Sequence, residues 1–244
     1  MKKHIFQMII IVFFSFAMVV FAESPFVEET MSPSIINPSS SGSFASACVS
    51  VKETSFHSVL CDSEEQLRAK IENEFDLRLL DGIDGTKWTK EALEYTYQVL
   101  SSLPKYFTIW PELLIREGRS TQGPLVGGRA EFKTLTWSDG RIENKDVFIY
   151  LYNISLRDPI TFKQTLVHEF AHCYFMAHQK LETEWQNLFW KKGMPEPPSV
   201  SDYGNSNLYE DMAESVARFV SEPEILRVLN PLRYQFIKEK VFNR

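Results

Sequence analysis

The segment 165–178, TLVHEFAHCYFMAH, carries His168, Glu169 and His172 in the pattern H-E-x-x-H. On an α-helix, residues four apart differ by about 40° in direction and lie one turn apart. Two imidazoles at this spacing therefore reach a single cation from one helix face. Neutral imidazole is a good zinc ligand. A carboxylate directly after the first histidine lies at the edge of such a site, where a general base is needed. The motif gains weight from its setting, because no Gly or Pro interrupts the chain from Thr161 to about His178. One helix can carry all three side chains.

Two histidines are half of a catalytic zinc site, which takes three protein ligands and keeps one position open. His178, ten residues after His168, has the interval of the metzincin pattern H-E-x-x-H-x-x-G-x-x-H. Phe175 stands where that pattern needs a helix-breaking glycine. In an unbroken helix His178 points about 120° away from His172. The other source is YEDMAESVARF, where Glu210 and Glu214 are one helical turn apart. A helix that brings Glu210 to the two histidines completes a His₂Glu set. Glu214 is then placed to accept the distal N–H of a ligating histidine.

These side chains need a frame. Residues 62–82 have Asp62 or Ser63 as N-cap and Leu67, Ile71, Phe75 and Leu79 at helical spacing, which predicts one helix ended by Asp81-Gly82. A second helix runs from the Thr89 cap to Pro104. ELLIREG, AEFKTLTW and DVFIYLYNI have strand composition, with QGPLVGG and SDGR as turns. After the motif helix, ETEWQNLFWKKG predicts further helix stopping at Gly193, and MPEPPSVSDYG a loop. NSNLYEDMAESVARFVS, PEILRVL and PLRYQFIKEKVF predict three more helices, the first capped by Asn205, Ser206 or Asn207. The order implies an α+β fold: a small mixed sheet packed with the H-E-x-x-H helix, and a mainly helical C-terminal half.

The 244 residues fit one principal domain with appendages. Residues 1–22 read as a signal peptide: Lys2 and Lys3 precede an apolar run, and Val20-Phe21-Ala22 offers a cleavage site. Export predicts a secreted or periplasmic protein, with no membrane contact once the signal is removed. Residues 23–60 are Ser- and Pro-rich and read as a flexible leader, with a possible Cys48–Cys61 disulfide. The catalytic domain is then 61–244. Cys173 reads as a small buried hydrophobe. Net charge is −6, and without residues 1–22 it becomes −8, because two lysines and no acids leave. That balance excludes nucleic acid and anionic membrane as natural partners. A monomer is expected.

HEFAH followed by SDYGNSNLYEDMAESVARF resembles the gluzincin metalloendopeptidases that include the catalytic domain of anthrax lethal factor and the Pro-Pro endopeptidases. The resemblance implies a zincin-like domain with one Zn²⁺ held by His168, His172 and Glu210. Glu214 would lie next to that shell and Glu169 would be the general base. It also implies that Tyr203, seven residues before Glu210, faces the open metal position. The implied activity is that of a secreted zinc-dependent endopeptidase hydrolysing peptide bonds with zinc-activated water. Its protein or peptide substrate would pair along a sheet edge, either GRAEFKTL or DVFIYLYNI. Proline preference does not carry over, since no matching residues set it. Two alternatives stand beside this reading: a catalytically silent zinc-binding interaction module of the same fold, and a metzincin-type site using His178.

Overall fold

The computed structural model describes residues 10–19, 62–136 and 142–243, with backbone alone for 10–19, 134–136 and 142–145. In chain order the elements are β1 (Ile10–Val19), α1 (Glu64–Phe75), β2 (Arg78–Asp81), α2 (Lys90–Ser102) and the short α3 (Lys105–Thr108). Then come β3 (Leu113–Glu117), β4 (Val126–Thr136), β5 (Ile142–Tyr152), α4 (Pro159–Ala177) and α5 (Gln179–Phe189). The chain continues with β6 (Trp190–Lys191), β7 (Met194–Pro195), α6 (Leu208–Ser221), α7 (Pro223–Leu229) and α8 (Pro231–Phe236), which runs into a π-turn at Ile237–Phe242. This is the α+β arrangement expected. The leader, 23–60, and the Cys48–Cys61 pairing lie outside the described residues.

One mixed sheet has the order β1-β4-β5-β3-β2. β5, β3 and β2 are parallel, and β4 is antiparallel to both its neighbours. Side chains alternate between the two faces, as a pleated strand requires. Ala130 and Phe132 of β4, Ile149 and Leu151 of β5 and Leu114 of β3 share a core with Phe162, Leu166 and Phe170 of α4. On the opposite face Arg129 lies 4.4 Å over the Tyr150 ring and Lys133 4.6 Å over Phe148. Outside β4 runs β1, the apolar segment read as part of a signal peptide, with Met18 opposite Gly128.

α4 is the central element. Every residue from Thr165 to Phe175 is buried, as befits a helix enclosed on all sides. Pro159 occupies its first turn and the Asp158 carboxylate accepts the Thr161 N–H at 2.8 Å, so the start is well specified. α6 packs along one side of α4 and α2 along another. Cys173 is a free, buried thiol.

The structure corrects two helices. The helix expected over 62–82 ends at Phe75, because Asp76 adopts a left-handed conformation (φ 55). Residues 78–81 leave it to pair with β3 as β2. Leu79 fits the helical spacing of Leu67 and Ile71, but Leu77 and Leu79 also alternate, and burial on the sheet wins. The helix expected to reach Gly193 stops at Phe189. Lys192 (φ 56) and Gly193 (φ 79) are both left-handed and form the two-residue turn of the β6–β7 hairpin. β4 also begins earlier than its composition implied, taking in Gly127 and Gly128 from the stretch read as a turn.

Candidate metal centre

α4 contributes His168, Glu169 and His172, and α6 contributes Glu210 and Glu214. Glu210 sits in the first turn of α6. There the Asn207 side chain caps the helix by accepting the Tyr209 and Glu210 N–H groups at 3.0 and 3.1 Å. Met212, Ala213, Val216 and Ala217 bury the helix against the core and fix the direction of its acids.

Ligand atoms from His168, His172 and Glu210 lie within 4.8 Å of one another, and all three residues are buried. The His168 and His172 Nε2 atoms are 3.0 Å apart. Glu210 Oε2 is 2.9 Å from the first and 3.3 Å from the second. Donors around a tetrahedral zinc with bonds near 2.0–2.1 Å are about 3.3 Å apart, so the set fits such an ion with little adjustment. The contact between Glu210 Oε2 and His168 Nε2 is close, yet that oxygen makes no well-aligned hydrogen bond. Three buried ligand atoms thus converge on one point. His168 Nδ1 donates to Glu214 Oε1 at 2.8 Å, a carboxylate that can only accept, and this directs the Nε2 lone pair at the cluster.

The electrostatics agree with the geometry. Burial works against a charged His168, but Glu210 and Glu214 outweigh it and push the ring up to about 10. Burial lowers His172. Burial alone would raise Glu210, yet His172 and His168 hold it well below the usual carboxylate range. A proton on His168 satisfies part of what a divalent cation would satisfy more fully.

Glu169 is sealed from solvent beside this set, and neither carboxyl oxygen has a hydrogen-bond partner among the described residues. The Ala130 amide faces it without reaching good hydrogen-bond geometry. Burial pushes the carboxyl up to about 8, partly offset by His168. A buried, unpartnered carboxyl with a displaced pKa is a candidate acid–base group. The Tyr203 ring stacks on His168, centroids 6.1 Å apart, and its hydroxyl bonds Glu210. Burial and the charges of Glu210 and Glu169 hold the phenol protonated.

His178 is not in the cluster. It ends α4, its Nδ1 donates to the Tyr174 carbonyl at 2.7 Å, and its ring stacks on Tyr174. The helix does break here, without the glycine, but the imidazole turns inward against its own last turn. Neither candidate sheet edge is one: DVFIYLYNI is β5 and lies between β4 and β3, and GRAEFKTL, in β4, lies between β1 and β5.

Three features escaped the sequence reading. Gly128 is the first: a Cβ there would lie 2.8 Å from Glu169 Oε1 and 2.8 Å from Thr165 Cγ2, so only glycine lets β4 approach the carboxyl this closely. A glycine inside a strand is the available signal. Ser201 is the second. Its hydroxyl donates to Glu214 Oε2 at 2.6 Å and accepts the Gly204 N–H at 3.0 Å. The third is Asp211. It accepts the indole N–H groups of Trp185 and Trp190 at 2.8 and 2.9 Å and pairs with the fully buried Arg233 at 3.1 Å. Arg233 also donates to the Pro197 and Pro198 carbonyls and to Asn230, which ties down the loop leading to Tyr203.

No helix among the described residues is long and apolar enough to cross a membrane. Comparison with protein-family models, curated proteins and solved structures gives no match to this chain.

Proposed function

We propose that the chain is an exported zinc endopeptidase of the gluzincin type, with a zincin-like catalytic domain. One observation carries the reading: three buried donors, His168, His172 and Glu210, converge beside a carboxyl, Glu169, that has no hydrogen-bond partner among the described residues. Structural zinc sites usually close with four protein ligands and have no use for an idle acid. The antiparallel strand β4, lying against α4 beside that acid, supports the same reading.

In this proposal His168, His172 and Glu210 hold the ion, and Glu214 fixes the His168 tautomer. Zinc supplies Lewis acidity, polarising a peptide carbonyl and acidifying water. Glu169 takes the proton from the attacking water and returns it to the leaving amine; a pKa displaced towards neutrality suits both halves of that task. The Tyr203 hydroxyl, held protonated, donates to the developing oxyanion, a contribution of about 10²–10³ in rate. Cleavage after Ala22 takes β1 off the sheet. An extended peptide then pairs with β4 past Gly128, bringing its carbonyl to Glu169.

The test is metal analysis and a peptide-library assay on the exported protein, wild type against Glu169→Gln. Both forms should carry one zinc, and cleavage should fall by about 10²–10⁴ in the variant. A zinc-loaded wild type that cleaves nothing in the library ends the protease reading.

A further inference from the structure

Tyr203 and the ligand His168 belong to different segments, yet a single hydroxyl joins them. Ser201 Oγ has one proton and gives it to Glu214 Oε2 at 2.6 Å. The other oxygen of that carboxylate takes the His168 Nδ1 proton at 2.8 Å. Ser201 Oγ in turn accepts the Gly204 N–H at 3.0 Å. The resulting chain runs from the Gly204 amide through Ser201 and Glu214 to His168, and Tyr203 sits between its two loop anchors. The loop is tight at this point. A Cβ on Gly204 would collide with Ser199 Oγ, and the Ser199 N–H is itself held by Asn205 Oδ1 at 2.8 Å. Tyr203 stacks on the same imidazole that the chain ends on.

We infer that Ser201 is a positioning residue of the metal centre, setting through Glu214 the orientation and basicity of His168 while fixing the loop that presents Tyr203. The inference rests on the zinc reading above. Carboxylates that hold a ligating histidine work best when their second oxygen is also bonded, because a singly held carboxylate can rotate away. Ser201 is the donor that pins it. Removing the hydroxyl frees Glu214 Oε2 and releases the Gly204 amide at once, so the ligand and the loop should loosen together.

The experiment measures zinc affinity by chelator competition, with Co²⁺ absorption as a second readout, on the full chain. The variants are Ser201→Ala, Ser201→Thr, Glu214→Gln and the double variant Ser201→Ala/Glu214→Gln. Thermal unfolding without metal serves as the check on folding. Ser201→Ala should weaken zinc binding about 10-fold, the lower end of the ~10–100-fold seen for partners of metal ligands. It should also shift the Co²⁺ bands. Ser201→Thr, which keeps a hydroxyl, should stay within about 3-fold of wild type. In the Glu214→Gln background the Ser201→Ala effect should shrink, because the two act in series. A Ser201→Ala affinity within twofold of wild type, or effects of Ser201→Ala and Glu214→Gln that simply add, overturns the inference and leaves the zinc reading standing. A wild type that takes up no zinc overturns both.

Discussion

Glu210 and Asp211 are consecutive residues of α6, both sealed from solvent. They serve two polar clusters that are finished to different degrees. Asp211 accepts four hydrogen bonds, two from tryptophan indoles and two from Arg233, and Arg233 spends its remaining donors on two carbonyls and Asn230. Neither residue has an orphaned polar atom. One step back along the helix, Glu210 Oε2 makes no well-formed hydrogen bond among the described residues, and neither do the two oxygens of Glu169 facing it from α4. Burial of polar groups is tolerated where they are paired and costly where they are not. The completed cluster is therefore architecture. The other includes three ligand atoms that could hold a metal ion.

The contrast can be broken at either residue. Asp211→Ala should have the largest effect, because it leaves the buried Arg233 guanidinium and two indoles without their acceptor. Losing one partner of a buried pair costs about 3–5 kcal/mol. Denaturant unfolding should show that loss equally with and without zinc. Glu210→Ala should behave in the opposite way. The metal-stripped variant should lose less than Asp211→Ala, because Glu214 still pairs with the proton on His168, and it should miss the zinc-linked gain, which for wild type reaches about 4 kcal/mol at a thousandfold excess of free zinc over Kd. Equal zinc-induced shifts in the melting temperature of wild type and variant would remove Glu210 from the ligand set.

A third test sharpens the comparison through pH. The folded pKa of Glu169, about 8, exceeds its ordinary 4.5. Between those values the folded state keeps a proton that the unfolded state has released, so stability falls as pH rises through the window. Glu169→Gln removes this contribution. Relative to that variant, metal-stripped wild type should lose stability steadily as pH rises from roughly 5 to 8. Parallel stability curves for the two proteins would mean that Glu169 is ionised and solvated in the fold.

His168 and His172 were legible from a spacing of four on α4, but Glu210 was singled out by the resemblance, since its spacing from Glu214 on α6 fits a solvated acidic face equally well. Caps were legible from local chemistry, outright at Thr89 and to within two or three residues at Ser63 and Asn207. What stayed hidden depends on contacts between distant segments. Leu79 satisfies a helix and a strand alike, and only the presence of β3 decides between them. Gly193 stops a helix or turns a hairpin, and Lys192 accepting a left-handed conformation makes it the second. The Asp211–Arg233 pair spans 22 residues with no periodic signal on either side. Ser201 lies in a loop, where composition reports exposure and says nothing of partners.

Gly128 has a consequence for how the chain tolerates change. Its φ lies outside the left-handed region and it pairs with Leu151, so left-handed strain is not what calls for glycine there. The restriction is volume: even the methyl of alanine would enter the space beside Glu169. A saturation library at this position should return glycine almost alone from clones that keep the carboxyl in place. Selection there would act on an atom that is missing, and a profile built from backbone preference would not see it.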